Sequence, residues 1–150
     1  MSDTHWKNKS RIHGKNVENF VYRYVRCVYC ESKFEYMSVN YPSIDMICKT
    51  CNQNYQIKGK CGISKSHPGA CYKTTLKNKN LKIDYIFVYY AKTNKIIKIV
   101  HVKSENIHII PRNPLSITAR RAGWQGCTIK YTHYDIVDTI ILAGFKNQDL

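Results

Sequence analysis

This 150-residue sequence contains few acidic residues. It has no long apolar run and no N-terminal signal. It has 10 Asp and Glu against 24 Lys and Arg, a net charge of +14 that serves solubility but also favours a polyanionic partner. The absence of any run of 18 apolar residues excludes a membrane-spanning helix, and no membrane partner is expected. The polar N-terminus excludes a secretory signal, so we expect an intracellular protein of the cytoplasm, the nucleus or a viral factory.

Aromatic and cysteine residues are plentiful by contrast. The sequence contains 12 Tyr and 2 Trp interleaved with the basic residues, a pattern that favours nucleic acid as the polyanion. It also contains seven cysteines. In an intracellular protein these favour a metal site over a disulfide framework.

The hydrophobic pattern predicts a helix early in the chain. Apolar residues recur at helical spacing between residues 15 and 26, at Val17, Phe20, Val21 and Tyr24. A strand beginning at Phe20 is the competing interpretation, because Val and Tyr are rich there. Residues 1–14 are polar and basic, and we expect them to be a flexible segment.

The remainder predicts a mixed α/β (α+β) fold, one domain over residues 15–150 with a central sheet flanked by helices. A hairpin turn is expected at 92–95. Asn113 and Pro114 suit the first positions of a second helix, and Gly123 suits its end. Strands are expected at 34–39, 44–47, 54–60, 81–91, 95–103, 107–110, 127–131 and 136–142.

Two Cys-x2-Cys pairs, Cys27 with Cys30 and Cys48 with Cys51, predict a structural Zn²⁺ site. Each turn brings two thiolates within reach of one ion, and two such turns close a tetrahedral site of four cysteines. With four thiolates bound, no position stays open for water, so this zinc is not expected to be catalytic. The three other cysteines have no partner spacing and are expected to be ordinary thiols: Cys61, Cys71 and Cys127.

Asp45, Gln56 and Lys58 form a candidate active site around the second Cys pair. Residues two apart on a strand share a face, so Gln56, Lys58 and Lys60 point the same way. A nuclease of the PD-(D/E)xK type needs an acid on one strand and an acid-x-Lys pair on its neighbour, to hold Mg²⁺ and activate water. Taken alone this spacing is a weak signal, and a solvated basic strand beside a stray acid is the more frequent explanation.

Four sequence blocks together resemble the DpnI-type, or Dam-replacing, restriction endonucleases. They are the paired Cys turns, Asp45 with residues 55–60, residues 69–75, and the long block Pro114-Leu-Ser-Ile-Thr-Ala-Arg-Arg-Ala-Gly-Trp-Gln-Gly-Cys127. The resemblance spans about residues 18–131. It implies a PD-(D/E)xK catalytic domain with an embedded zinc site. It also implies Mg²⁺-dependent cleavage of double-stranded DNA, in that family at adenine-methylated GATC, with Asp45, Gln56 and Lys58 as the catalytic residues.

The sequence departs from the family pattern at two points. Gln56 stands where the family has its second metal-binding acid, and Glu18 or Glu35 could replace the missing charge. Family members also carry a C-terminal winged-helix domain, which we expect to be absent because the sequence ends at Leu150. The first departure bears on activity and the second on methyl-directed specificity.

Basic and aromatic residues outside the metal sites are candidates for DNA contact. Consecutive arginines lie about 100° apart on a helix, so Arg120 and Arg121 cannot both face one target. Solvated surface, or for Trp124 the core, is the competing interpretation. The candidates are Lys60, Lys73, Arg120, Arg121 and Trp124.

Three functions remain open on the sequence. The first is a Mg²⁺-dependent DNA endonuclease. The second is a DNA-binding protein of the same fold, weakened or inactive because of Gln56. The third is a zinc-ribbon accessory protein that acts through protein partners. The sequence leaves open whether the protein is a monomer or a homodimer.

Overall fold

Eleven helices and strands are present in the computed structural model, which describes residues 3–37, 44–62, 82–107, 112–114, 117–122, 127–129 and 139–150. In chain order they are α1 (Asp3–Tyr24), β1 (Glu35–Tyr36), β2 (Met46–Cys48), β3 (Gln53–Cys61), β4 (Ile83–Tyr90), β5 (Ile96–Val102), α2 (Ser104–Ile107), β6 (Arg112–Pro114), α3 (Ile117–Arg121), β7 (Cys127–Ile129) and β8 (Thr139–Leu142). None of the helices in these ranges is long and apolar enough to cross a membrane.

A six-stranded sheet in the order β1-β2-β3-β4-β5-β8 organises the described residues, and β6 and β7 form a separate two-stranded sheet. The β3–β4 pair is parallel, whereas the other pairs in the large sheet are antiparallel. The sheet is therefore mixed, and the predicted mixed α/β class is confirmed.

Strand alternation gives the two faces of β3 different roles. Tyr55 and Ile57 are buried in the hydrophobic core, together with Ile86 and Val88 of β4. Gln56 and Lys58 alternate with them in sequence and so point to the opposite face. The side chains of Gln56 and Lys58 thus lie on the face of β3 opposite to Tyr55 and Ile57.

Helix α1 packs against this core through Val17, Phe20 and Val21. Its closest approach to β3 is at Gly59, where a Cβ atom would lie 2.6 Å from Cγ2 of Val17. Only a residue without a side chain allows the helix to come so close. The contact between Val17 and Gly59 fixes the position of Glu18, the next residue of α1, relative to β3.

The predicted hairpin between β4 and β5 is confirmed. The amide of Ala91 donates to the carbonyl of Lys95 over 2.8 Å, and the amide of Asn94 donates to the carbonyl of Ala91, also over 2.8 Å. Asn94 has a φ of 63°, in the left-handed region that Asn tolerates better than most residues. The hairpin aligns β4 with β5 through the register that includes Ile86 opposite His101.

Three boundary predictions differ from the structure. Helix α1 begins at Asp3, so residues 3–14 are helical rather than loose. Asn113 and Pro114 lie in β6, and the helix they were predicted to open begins at Ile117. Pairing with β7 outweighs the local capping pattern, and Pro is tolerated because a two-stranded sheet consists only of edge strands.

The third difference concerns the strand predicted for 107–110. Residue Ile107 ends α2, and residues 108–110 lie outside the described ranges. Helix α2 begins at Ser104, whose amide donates to Oδ1 of Asp84 over 2.9 Å. This cap comes from a distant strand, so no local sequence pattern reveals it.

Candidate active site and metal centre

The four cysteines of the two Cys-x2-Cys pairs meet at one point. Their sulfur atoms all lie within 4.8 Å of one another. The sulfurs of Cys27 and Cys51 are 3.6 Å apart, and those of Cys30 and Cys48 are 3.3 Å apart. The predicted convergence of the two turns is confirmed, and the cluster could hold a metal ion.

The geometry of this cluster fits a tetrahedral thiolate site. Four sulfurs at the usual zinc–sulfur distance would stand about 3.8 Å apart, close to the separations observed. The two turns also share a backbone feature, since Glu31 and Asn52 follow the second cysteine of each pair with φ values of 60° and 61°. Hydrogen bonds from Ser32 lower the pKa of the Cys30 thiol to about 6, which favours the thiolate that a metal requires.

The cluster is joined to the core of the sheet through Tyr55. The hydroxyl of Tyr55 lies 3.1 Å from the sulfur of Cys27, and its ring packs edge-on against Phe34. Both ring side chains are fully buried. The metal-binding turns are therefore fixed to β3, the strand that also carries Gln56 and Lys58.

Asp45 lies where the ladder between β2 and β3 ends. Its amide donates to the carbonyl of Tyr55 over 2.9 Å, and its carboxylate Oδ2 accepts the amide proton of Ile57 over 2.7 Å. The β2–β3 ladder begins with Met46 opposite Tyr55, so Asp45 lies just before it. The charge of Lys58 acts on the Asp45 carboxylate, and Gln56 lies two residues before Lys58 on the same strand face. The structure thus places Asp45 near Lys58.

Gln56 carries a polar atom without a partner. Its side chain is only 3% exposed, and Oε1 accepts no hydrogen bond from the residues that the structure describes. A buried acceptor left unpaired costs about 1–3 kcal/mol. An amide oxygen without a hydrogen-bond partner is of the type that coordinates a hard cation.

Glu18 of α1 joins this group. Its carboxyl group shares a side-chain hydrogen bond with Asp45, and the charge of Lys58 acts on both acids. Burial and the negative charge of Asp45 raise the pKa of Glu18 to about 7, so its protonated form donates to Asp45. Burial also raises the pKa of Asp45, opposed by the Ile57 amide and by Lys58.

Glu35, the other acid considered as a replacement for the missing charge, lies elsewhere. Its carboxylate pairs with Nζ of Lys49 at 2.7 Å, and both side chains are largely exposed. It stands in β1 opposite Ile47. Of the two acids, Glu18 is the one in contact with Asp45.

The predicted DNA contacts are distributed over several parts of the chain. Lys60 is half-buried on the same face of β3 as Lys58. Arg120 and Arg121 are exposed at the end of α3. Lys73 and Trp124 lie outside the described residues.

A buried hydrogen-bond network around Asp84 was missed by sequence reasoning. Oδ2 of Asp84 accepts the Tyr29 hydroxyl proton over 2.6 Å and lies 2.7 Å from Nε2 of His101. Asp84 and His101 are both fully buried. The signal was available, because an acid within the apolar run 81–91 requires a partner.

The described residues form a mixed α/β domain with a four-cysteine cluster, and Asp45 lies near Lys58 of β3. It is consistent with a restriction-type nuclease that acts on DNA. The model of the Dam-replacing family, DpnI, matches residues 2–143, nearly the whole sequence. The chain therefore belongs to the Dam-replacing family.

Proposed function

We propose that this protein is a Mg²⁺-dependent endonuclease of the PD-(D/E)xK type that hydrolyses phosphodiester bonds in double-stranded DNA. Membership of the Dam-replacing family supports the restriction-type activity and the DNA substrate. The net charge of +14 supports a polyanionic substrate independently.

The observation that carries the proposal is Asp45 near Lys58, with the buried amide of Gln56 on the same strand face as Lys58. Asp45 offers a carboxylate, and Gln56 offers a buried amide oxygen that no described residue engages. Both are oxygen ligands of the kind that Mg²⁺ prefers. An arrangement built only for stability would not leave the amide oxygen unpaired.

Each residue has a distinct part in the proposed chemistry. Asp45 and Gln56 hold the divalent ion, which when bound lowers the pKa of the attacking water. Lys58 keeps its ammonium group beside the acids, where it can orient that water and offset the charge that develops on the phosphate. The amide of Ile57 fixes the carboxylate of Asp45 in place.

The four-cysteine cluster is proposed to hold a structural Zn²⁺. Four thiolates fill a tetrahedral ion, so the cluster binds no water to activate. Its role is to fix the turn after β2 and the turn after α1 to the same strand through Tyr55. Lys60, Lys73, Arg120, Arg121 and Trp124 remain proposed DNA contacts, and the charged ones would make binding fall steeply with salt.

A plasmid cleavage assay tests this function. We expect the zinc-loaded protein to nick or cut plasmid with Mg²⁺ or Mn²⁺. Lys58→Ala should lower the rate about 10²- to 10⁴-fold while DNA retention on a filter is unchanged. Arg120→Ala is the matched control, since it also removes one cation but should weaken binding rather than the chemical step.

Both methylated and unmethylated plasmid belong in this assay. Absence of cutting with either metal on either DNA would favour the second candidate, a DNA-binding protein silenced by Gln56. In that case Gln56→Glu, which supplies the acid found in the family, should gain cleavage. Unchanged cutting by Lys58→Ala would remove Lys58 from the mechanism.

A further inference from the structure

We propose that Tyr22 and Tyr36 form a platform on which an unpaired base of a DNA strand stacks beside the candidate active site. The inference rests on the proposed function, because it concerns the state of the DNA that the same site receives. It adds a binding surface on α1 and β1 to the hairpin that carries Asp45, Gln56 and Lys58.

The two tyrosine rings lie against each other at the surface. Their centroids are 4.7 Å apart, and the ring planes differ by 31°. The hydroxyl of Tyr36 donates to Oδ1 of Asn19 over 2.6 Å, which fixes its ring beside α1. Tyr22 and Tyr36 are nevertheless 42% and 44% exposed, so a preformed aromatic surface faces solvent.

The hydrophobic core does not require the ring of Tyr22. Helix α1 packs against the sheet through Val17, Phe20 and Val21, which are all buried. Tyr22 lies about 200° around the helix from Phe20, away from this contact. Its ring is therefore available to a ligand, and a flat aromatic surface suits a nucleobase because every base has a π face.

Backbone pairing places the platform next to the candidate active site. Tyr36 is the register partner of Met46, the first residue of β2. The amide of the next residue, Met37, donates to the carbonyl of Asp45 over 3.1 Å. A DNA strand held at Asp45 therefore passes close to the ring of Tyr36.

The charges around the platform favour a nucleic-acid strand as its occupant. Lys15 and Arg23 are exposed on α1, and Lys15 lies two turns before Tyr22 on the same side of the helix. Cations that flank an aromatic surface can contact the phosphates on either side of a stacked base. A second copy of this chain would bring the same net charge of +14 and be repelled.

The base that stacks must be unpaired. Within a duplex, each base offers its faces only to the neighbouring bases, and it reaches a protein ring only when it leaves the stack. The platform should therefore distinguish single-stranded from double-stranded DNA.

Fluorescence anisotropy of the zinc-loaded protein without other divalent metal tests the inference. The probe is a labelled single-stranded oligonucleotide of about 12 nucleotides. We expect Tyr22→Ala and Tyr36→Ala each to weaken its binding about tenfold. Tyr36→Phe keeps the ring and should bind within a few fold of the unchanged protein.

Tyr24→Ala is the matched control. Tyr24 is also an exposed tyrosine of α1, but its ring packs against Phe20 rather than Tyr36. This variant should leave the affinity unchanged. Lys15→Ala should lower the salt dependence of binding by about 0.7 in the slope of log K against log salt, whereas the tyrosine variants should keep the slope.

Four outcomes would overturn the inference. The first three are unchanged affinity in Tyr22→Ala and Tyr36→Ala, equal weakening by Tyr24→Ala, and equal weakening of binding to a fully paired duplex. The fourth is a dimer that Tyr22→Ala separates in sedimentation velocity without a change in DNA affinity, which would assign the surface to a second copy. Far-ultraviolet circular dichroism identifies any loss of folding, and Tyr36→Phe against Tyr36→Ala keeps the ring comparison informative if Tyr22→Ala is unstable.

Failure of the platform can be distinguished from failure of the proposed function. If the unchanged protein cuts DNA while Tyr22→Ala and Tyr36→Ala bind single strands and cut equally well, the platform is excluded and the nuclease stands. If both variants lose single-strand affinity but the unchanged protein cuts no DNA with either metal, the platform stands and the nuclease proposal fails.

Discussion

Asp84, buried within the large sheet, and Asp45, half-buried just before β2, have opposite surroundings. Asp84 has a full set of donors: the Tyr29 hydroxyl, the amide of Ser104, and Nε2 of His101. Asp45 receives one backbone amide, and a second acid, Glu18, is in contact with it. Asp84 is the register partner of Tyr55 within the sheet, whereas Asp45 lies just outside the β2–β3 ladder.

Asp84 therefore stabilises the fold, whereas Asp45 is available to bind a ligand. A buried acid with three donors is satisfied within the protein and strengthens its surroundings. Glu18 and Asp45 share a proton, because two adjacent negative charges are unfavourable unless a proton or a cation joins them. The imidazole Nδ1 of His101 also has no partner among the described residues, but it belongs to a network whose acid is fully engaged.

Replacing each of the two aspartates by alanine should give the largest difference in unfolding free energy. Asp84→Ala leaves the buried His101 without its partner and removes the acceptor of the Tyr29 hydroxyl and the Ser104 amide, so it should cost about 3–5 kcal/mol of unfolding free energy. Asp45→Ala loses the hydrogen bonds to the Ile57 amide and to Glu18 at a half-buried position, so it should cost only about 1–2 kcal/mol. Urea denaturation of the zinc-loaded, magnesium-free proteins measures both.

The same pair of variants has a second readout. Asp45→Ala should abolish Mn²⁺ binding while Asp84→Ala, where it remains folded, should retain it. Equal destabilisation by the two substitutions would show that the two aspartates are both structural, and the comparison would not hold.

Gly59→Ala tests whether the α1–β3 contact positions the metal site. The added Cβ would meet Val17 at 2.6 Å, so α1 must move, at a cost of about 1–3 kcal/mol. That movement should also separate Glu18 from Asp45 and weaken Mn²⁺ binding. Thermal unfolding and Mn²⁺ titration measure the two effects.

Gly14 provides the matched control in the same helix. It is exposed, and an added Cβ would meet nothing within 4 Å. Gly14→Ala should stabilise the protein by about 0.5–1 kcal/mol through helix propensity and leave Mn²⁺ binding unchanged. If Gly59→Ala behaved in the same way, the close contact would have no part in placing Glu18.

Short-range patterns revealed one part of the site and left another hidden. The turn of Cys48 and Cys51 and the spacing of Asp45, Gln56 and Lys58 belong to a single hairpin, β2 to β3, whose register is set by local alternation. The contact of Glu18 with Asp45 depends on how α1 docks across β3. From the sequence, Glu18 could be predicted only as one of two acids, with Glu35, that might replace the missing charge.

The fold also combines elements that local sequence predicts with elements that depend on distant partners. Strands β4 and β5 follow from their apolar runs and the turn between them. The start of α2 depends on Asp84, distant in sequence, and β6 depends on pairing with β7. Local signals fail where a partner distant in sequence supplies the hydrogen bonds.

A pH dependence of stability is also expected from Glu18. Its pKa is about 7 in the folded protein against an ordinary value of 4.5, so the folded state binds this proton more tightly than the unfolded state. The stabilising contribution is therefore complete below pH 4.5 and is lost as the pH rises through about 7. Glu18→Gln has no such group, so the melting temperature of the unchanged metal-free protein should fall relative to that of the variant over this interval. A constant difference between the two melting temperatures would mean that burial and Asp45 do not raise the pKa of Glu18. The electrostatic difference between the surroundings of Asp45 and Asp84 would then be contradicted.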